Sequence, residues 1–148
     1  MAGRGRWLAG GCRAEVFGGD PAGAPGALKR IDTTWTGVPV RDLLERAGVQ
    51  KKAKFVMEHA EFGYTTNIPL KDITTDDALV AYAHDGAEIE PIHGGPVRIV
   101  VPHLYFWKSA KWVRGLRLRE RDELGFWEEL GYHERGDPWR EQRYRGDP

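Results

Sequence analysis

HGGPVRIVVPHLYFWKSAKWV, residues 93–113, is the stretch on which the reading of this chain turns. Gly94 and Gly95 let the backbone turn sharply and let a ligand approach it closely. Pro96 opens a strand, and Val97–Val101 is the continuous apolar run of a strand covered on both faces. Pro102 ends it. Arg98 stands inside that apolar run, so its guanidinium needs a partner. An aromatic loop follows, then Lys108, Ser109 and Lys111. Two lysines, an arginine and a hydroxyl near free backbone N–H groups could form a phosphate nest. The plainer alternative is a strand–loop–strand in which Arg98 pairs with a carboxylate, and the residues alone leave both open.

Working outward, the flanks read as short strands and one helix. Pro39 suits a first helical turn. Val40, Leu43, Leu44 and Ala47 then share a face, and Gly48 stops the helix. Lys54–Glu58 and Tyr64–Ile68 read as strands, and Ala78–Ala83 as a strand or buried turn. Asp85-Gly86 is a tight-turn signal, with Glu88–Ile89 returning. Lys111–Arg119 is a later strand. The tail from Phe126 is rich in Trp and Tyr and holds a short helix at most. This pattern predicts an α+β domain over residues 31–148.

Residues 1–30 are of another kind. The run GRGRWLAGGCRAEVFGGDPAGAPGA (residues 3–27) sustains no period of 3.6 or 2, and its glycines raise the entropy lost on ordering. It reads as a Gly/Ala/Arg/Pro-rich leader, disordered apart from a short ordered piece at Glu15–Phe17.

The bulk properties remove several function classes. The chain has 148 residues, enough for one core, and its 22 basic and 22 acidic residues give zero formal net charge. That balance gives no general attraction to nucleic acid or an anionic membrane, so an anion site must be built locally. No apolar run approaches the roughly 20 residues needed to span a bilayer. With no signal-peptide pattern, the expected location is the cytoplasm. Cys12 is the one cysteine, so an internal disulfide and a paired-Cys zinc site are both excluded.

The 93–113 stretch resembles the molybdopterin-binding stretch of sulfite-oxidase-like oxidoreductases, the small bacterial branch without a haem domain. DTTWTGVPVRDLLERAGV (residues 32–49), DALVAYAHDGAEI (residues 77–89) and GFWEELGYHERGDPWREQRY (residues 125–144) resemble that family's other segments in the same order. The resemblance implies a sulfite-oxidase-type molybdopterin-binding domain, incomplete at its N-terminus. It also implies a molybdenum-molybdopterin cofactor, oxygen-atom transfer of the sulfite-oxidising or sulfoxide-reducing class, a small-molecule substrate and an electron-transfer partner that it does not identify. By position, His93 resembles the residue that hydrogen-bonds the cofactor, Arg98 the arginine at its phosphate end, and Ser109, Ala110 and Lys111 the clamp around it. No nucleic acid or membrane partner is implied, and no catalytic residue is identified.

The resemblance also exposes a gap. The family's molybdenum ligand is a cysteine in a His-Cys loop, whose position falls here near Ala24 or Pro25. Neither can coordinate a metal, so no metal-ligating residue is assigned, and the expectation is an impaired enzyme, a truncated non-catalytic domain, or a phosphate- or pterin-binding module. The composition of residues 1–30 is that of a shifted frame through GC-rich DNA, with Cys12 as a poor substitute ligand. Among the remaining candidates, His59 and His84 read as solvated, and His103 is balanced between lining the pocket and not. Tyr105, Phe106 and Trp107 either flank the pterin or pack. Trp127, Tyr132, Trp139 and Tyr144 dock the tail. Arg135 and Asp137 form a turn with an ion pair, and Arg117–Glu123 is a solvated face.

Overall fold

The computed structural model describes residues 10–18 and 29–148, with side chains from residue 33 on. Two antiparallel sheets carry the fold. The first contains β1 (Gly10–Gly18), β2 (Lys29–Pro39), β5 (Leu79–His84) and β6 (Ala87–Glu88) in that order, with β7 (Arg98–Val100) also paired to β5. The second has β3 (Phe55–Ala60) at its centre between β4 (Thr65–Pro69) and β8 (Val113–Arg119). Helices are few: α1 (Val40–Ala47) and two single turns, α2 (Leu70–Ile73) and α3 (Phe126–Glu129). This is the α+β domain that the pattern predicts. None of the helices among the described residues is long and apolar enough to cross a membrane.

Local sequence explains the elements. Val40 and Leu44 of α1 are buried, each worth about 1.5–3 kcal/mol. Gly48 ends the helix in the left-handed region, its N–H returning to the carbonyls of Leu44 and Glu45. Pro39 sits just before the helix rather than inside its first turn. Asp85 and Gly86 both have positive φ (48° and 80°) and make the two-residue turn between β5 and β6, as an Asp-Gly pair should. Two elements escape the sequence pattern. β2 is longer than its β-branched Thr-Thr-Trp-Thr run suggests, because it extends into the charged Lys29–Asp32 stretch. Within the stretch read as leader, Gly10–Gly18 forms β1 and pairs with Lys29–Gly37 of β2; a strand with three glycines has no alternating pattern to detect. Residues 1–9 and 19–28 lie outside the described residues.

The sheet edge beside β5 is shared. Ala83 faces Glu88 of β6, and Ala81 faces Arg98 of β7. Two residues along β5 therefore correspond to ten along its partner, so eight residues are looped out of what is otherwise one continuous edge. That loop carries His93, Gly94 and Gly95.

β7 divides the interior. Ile99 and Val101 join Val40, Leu44, Val56, Ile68, Ile73, Ala78 and Leu104 in the main core between the sheets. Val100 faces the other way, into a smaller cluster with Trp35, Leu79, Ala81 and Ile89. By the alternation of a strand, Arg98 points to that second side.

Candidate cofactor site

Arg98 is 5% exposed and is held by three backbone carbonyls. Nη1 donates to the His93 carbonyl at 2.7 Å, Nη2 to that of Ser109 at 3.1 Å, and Nε to that of Ile99 at 3.2 Å. Its guanidinium carbon lies 4.4 Å from the centre of the Phe106 ring and 5.3 Å from that of Trp35, within cation–π range. Trp35 in turn packs on His84 at 4.4 Å. Arg98 makes no ion pair with a carboxylate among the described residues; carbonyls and aromatic faces take the place of the carboxylate alternative. Three of the five N–H groups of a guanidinium are engaged this way, and two remain among the described residues for a ligand.

The loop before β7 is laced to the segment before β8. The Trp112 N–H reaches the Gly94 carbonyl at 3.2 Å, and the Trp112 indole N–H reaches that of Pro91 at 2.7 Å. Lys111 Nζ donates to the Ile92 carbonyl at 3.3 Å and lies 4.7 Å from the Trp112 ring. Gly94 has φ +105°, and a Cβ there would lie 2.7 Å from Lys111 Cγ. At Gly95 a Cβ would lie 1.8 Å from the Ile89 carbonyl oxygen. The glycine pair is therefore fixed by close approach of protein to protein, in addition to whatever a ligand requires.

All five residues singled out from the sequence come together here, in unequal states. His93 is exposed, its Nε2 3.9 Å from the Glu90 carboxylate. Ser109 and Ala110 are buried and internally bonded: Ser109 Oγ accepts the Val101 N–H at 2.9 Å, and the Ala110 N–H donates to Glu58 Oε2 at 2.8 Å. They hold the turn that presents Lys111. Lys108, offered as a second lysine of the nest, turns inward. It is fully buried, 2.7 Å from the Glu128 carboxylate, and donates to the carbonyls of Asn67 and Glu134.

The electrostatics match an anion end. Burial pulls Arg98 down to about 10, against the attraction of Glu58. Burial, then the neighbouring Arg98, lowers Lys111. Two crowded cations without a bonded carboxylate among the described residues are both relieved by an anion.

The other candidates separate clearly. Of the three loop aromatics, Phe106 faces Arg98, whereas Tyr105 stacks on Trp107 at 4.7 Å away from it. His103 belongs elsewhere: its Nε2 lies 3.0 Å from Asp72, which Arg135 also holds at 3.1 Å. Arg135 pairs with Asp137 as well, at 3.3 Å. His59 has a buried Nε2 without a hydrogen-bond partner among the described residues, and His84 bonds Thr33, so neither is simply solvated. The tail docks through Tyr132, which meets Trp107, Trp127 and Tyr144; Trp139 stays exposed. Sequence reading missed Trp35 and Glu58 as parts of this site. A lone glutamate in the strand Phe55–Ala60 was the available signal.

The model of the oxidoreductase molybdopterin binding domain matches residues 20–127. The chain belongs to this family. Its match begins inside the Gly-rich stretch. The domain is 52% identical over 118 residues to the uncharacterized oxidoreductase YuiH of Bacillus subtilis (strain 168), covering 80% of this chain and 60% of that protein. It is 31% identical over 116 residues to a nitrate reductase [NADH] of Solanum lycopersicum, covering 69% of this chain and 13% of that one. The chain thus spans less than two thirds of the first relative's length and a small part of the second's. In structure it is similar to the sulfane dehydrogenase SoxCD of Paracoccus pantotrophus, with a TM-score of 0.60 at 23% identity, over 77% of this chain and 31% of that one.

The residues present fit the phosphate end of the family's cofactor: a guanidinium and an ammonium around a glycine loop is the donor set a phosphate needs. The metal end is a different matter. Ala24 and Pro25, where the ligand was expected, lie outside the described residues. The one cysteine, Cys12, is on β1 in register with Trp35.

Proposed function

We propose that this molybdopterin-binding domain holds its cofactor by the phosphate end, in the manner of a sulfite-oxidase-type oxidoreductase. The observation that carries the reading is the Arg98–Lys111 cation pair, buried or half-buried beside Gly94 with no carboxylate bonded to it among the described residues. Arg98 and Lys111 bind the phosphate, and the exposed His93 ring is free to hydrogen-bond the pterin edge. Ser109 and Ala110 set the turn, and Trp35 and Phe106 keep water from the guanidinium. When bound, the molybdenum cofactor supplies two-electron oxygen-atom transfer to or from a small substrate such as sulfite or a sulfoxide. Electrons pass to or from a partner that the sequence does not identify, and the location proposed is the cytoplasm.

A second reading is favoured by one observation. The position matching the family's soft thiolate ligand holds Ala24 or Pro25. On that reading the domain keeps the pterin but holds molybdenum poorly, and is an impaired enzyme or a pterin-binding module. Expression in a host that makes the cofactor, with elemental analysis for molybdenum and assay of the released pterin, tests both. Stoichiometric molybdenum supports the enzyme. Pterin without molybdenum supports the module. A folded protein with neither refutes the proposal.

A further inference from the structure

Glu58 lies in the middle of β3, between Met57 and His59, and is completely buried. Its Oε2 accepts the Ala110 N–H at 2.8 Å. Its Oε1 is buried and has no hydrogen-bond partner among the described residues. The charged and titratable groups facing it come from every neighbouring element. They are Lys108 from the turn after β7, Glu128 from α3, Arg98 from β7, and Tyr64 just before β4. Lys108 is already committed to Glu128 at 2.7 Å. Glu58 is therefore a carboxyl with one oxygen on the cofactor turn, the other unpartnered, and no ion pair of its own among the described residues.

Such a group relieves the cost of burial by taking up a proton. Burial pushes Glu58 up to about 8, against the Ala110 bond and the attraction of Lys108. A neutral amide could accept the same N–H, so holding the turn does not by itself need an ionisable group. What an ionisable group adds is a response to charge on Arg98, which feels Glu58.

We propose that Glu58 is a positioning residue of the phosphate cradle and its linked proton site: it fixes the Ser109–Lys111 turn through the Ala110 N–H and gains a proton when an anion occupies Arg98 and Lys111. This rests on the reading of Arg98 and Lys111 as the phosphate site. A charged Glu58 and a phosphate compete for one guanidinium, and protonation of Glu58 removes the competitor. The sign follows from linkage. Phosphate affinity is high while Glu58 is neutral and falls as pH rises through about 8. Conversely, bound phosphate raises the pH at which Glu58 ionises. Lys111, lowered by burial and Arg98, weakens binding in the same direction, so the contrast with Glu58→Gln isolates the carboxyl.

The test follows the backbone amides of the whole chain by NMR between about pH 7 and about pH 9.5, with and without inorganic phosphate. The Ala110 amide of the wild type is expected to titrate near 8, and this titration is absent in Glu58→Gln. Phosphate shifts the wild-type midpoint upward. Across the range, wild-type phosphate affinity falls about fivefold more than that of Glu58→Gln, the size of a single charge acting through protein. An Ala110 amide that does not titrate overturns the proposal. So does a midpoint that ignores phosphate while the Gly94 and Lys111 amides respond to it, which leaves the cradle standing and removes only the linkage. If no amide around Arg98 responds to phosphate, the cradle itself fails and the linkage falls with it. The wild-type midpoint decides these outcomes even where the variant does not fold.

Discussion

Lys108 and Lys111 stand three residues apart in one loop and have opposite surroundings. Lys108 is wholly buried against Glu128 and two backbone carbonyls, every donor committed inside the protein. Lys111 is half-buried, touches one carbonyl and an indole ring, and has Arg98 rather than a carboxylate as its charged neighbour. The difference separates a cation that holds the fold from one that is left for a ligand. Residue type and spacing could not assign the two roles, since both are lysines beside small residues in an aromatic loop; only the family resemblance singled out Lys111.

The comparison breaks most visibly at the structural end. Lys108→Met leaves Glu128 buried without its cation, a loss of about 3–5 kcal/mol. Chemical denaturation should show it as a lower midpoint, while phosphate affinity of the folded protein, read well below pH 8 where Glu58 is neutral, is unchanged. A variant as stable as wild type would mean that the pair is not structural.

Next in size is Gly94→Ala, where positive φ and the overlap with Lys111 Cγ together cost about 3 kcal/mol. The same variant should weaken phosphate binding, because the lysine is displaced. If stability drops and binding does not, Lys111 is not where the anion sits.

The carboxyls sharpen the contrast through pH. Burial alone would raise Asp72, but hydrogen bonds from His103 and Arg135 reverse this and hold it at about 2. Its folded-state value is depressed, so its contribution of about 2 kcal/mol is present above the ordinary carboxylate range and is lost as pH falls through about 2. Glu58 has the opposite sign. Its raised value means that stability is greatest below its ordinary 4.5 and declines as pH rises toward about 8. Asp72→Asn should flatten the acid limb of the stability profile and Glu58→Gln the limb above it. Profiles with the two effects exchanged would contradict the assigned environments.

The smallest effect on stability belongs to Lys111→Ala, under about 0.5 kcal/mol as for other partly exposed side chains. Phosphate affinity should nevertheless fall about tenfold, the worth of one charge-assisted hydrogen bond. Calorimetry reads both numbers on one sample, and equal affinities would remove Lys111 from the site.

Much of this was legible beforehand, for identifiable reasons. Arg98 was visible because a guanidinium in a run of valines has to be answered, and Gly94-Gly95 because two glycines before a strand signal a tight approach. The α1 boundaries followed from Val40, Leu44 and Gly48. What stayed hidden depends on contacts distant in sequence. Lys108 turns inward because Asn67 and Glu128 wait for it. His103 was balanced between two readings, and Asp72, 31 residues earlier, decides it. Glu58 carried a local sign, a carboxyl in an apolar strand, but its meaning depends on Ala110, 52 residues away.

The eight residues looped out between β6 and β7 have a consequence for how such a domain can change. Because both ends of the excursion return to the same edge of β5, its length is uncoupled from the register of the sheet. Outside the fixed glycine pair, residues can be added or removed there without shifting the register of β5 against β6 or β7. What the loop adds to the site, His93 and the glycine pair, is in that sense an adjustable part: a lineage could remodel it while Arg98 on β7 and Lys111 stay with the scaffold beneath.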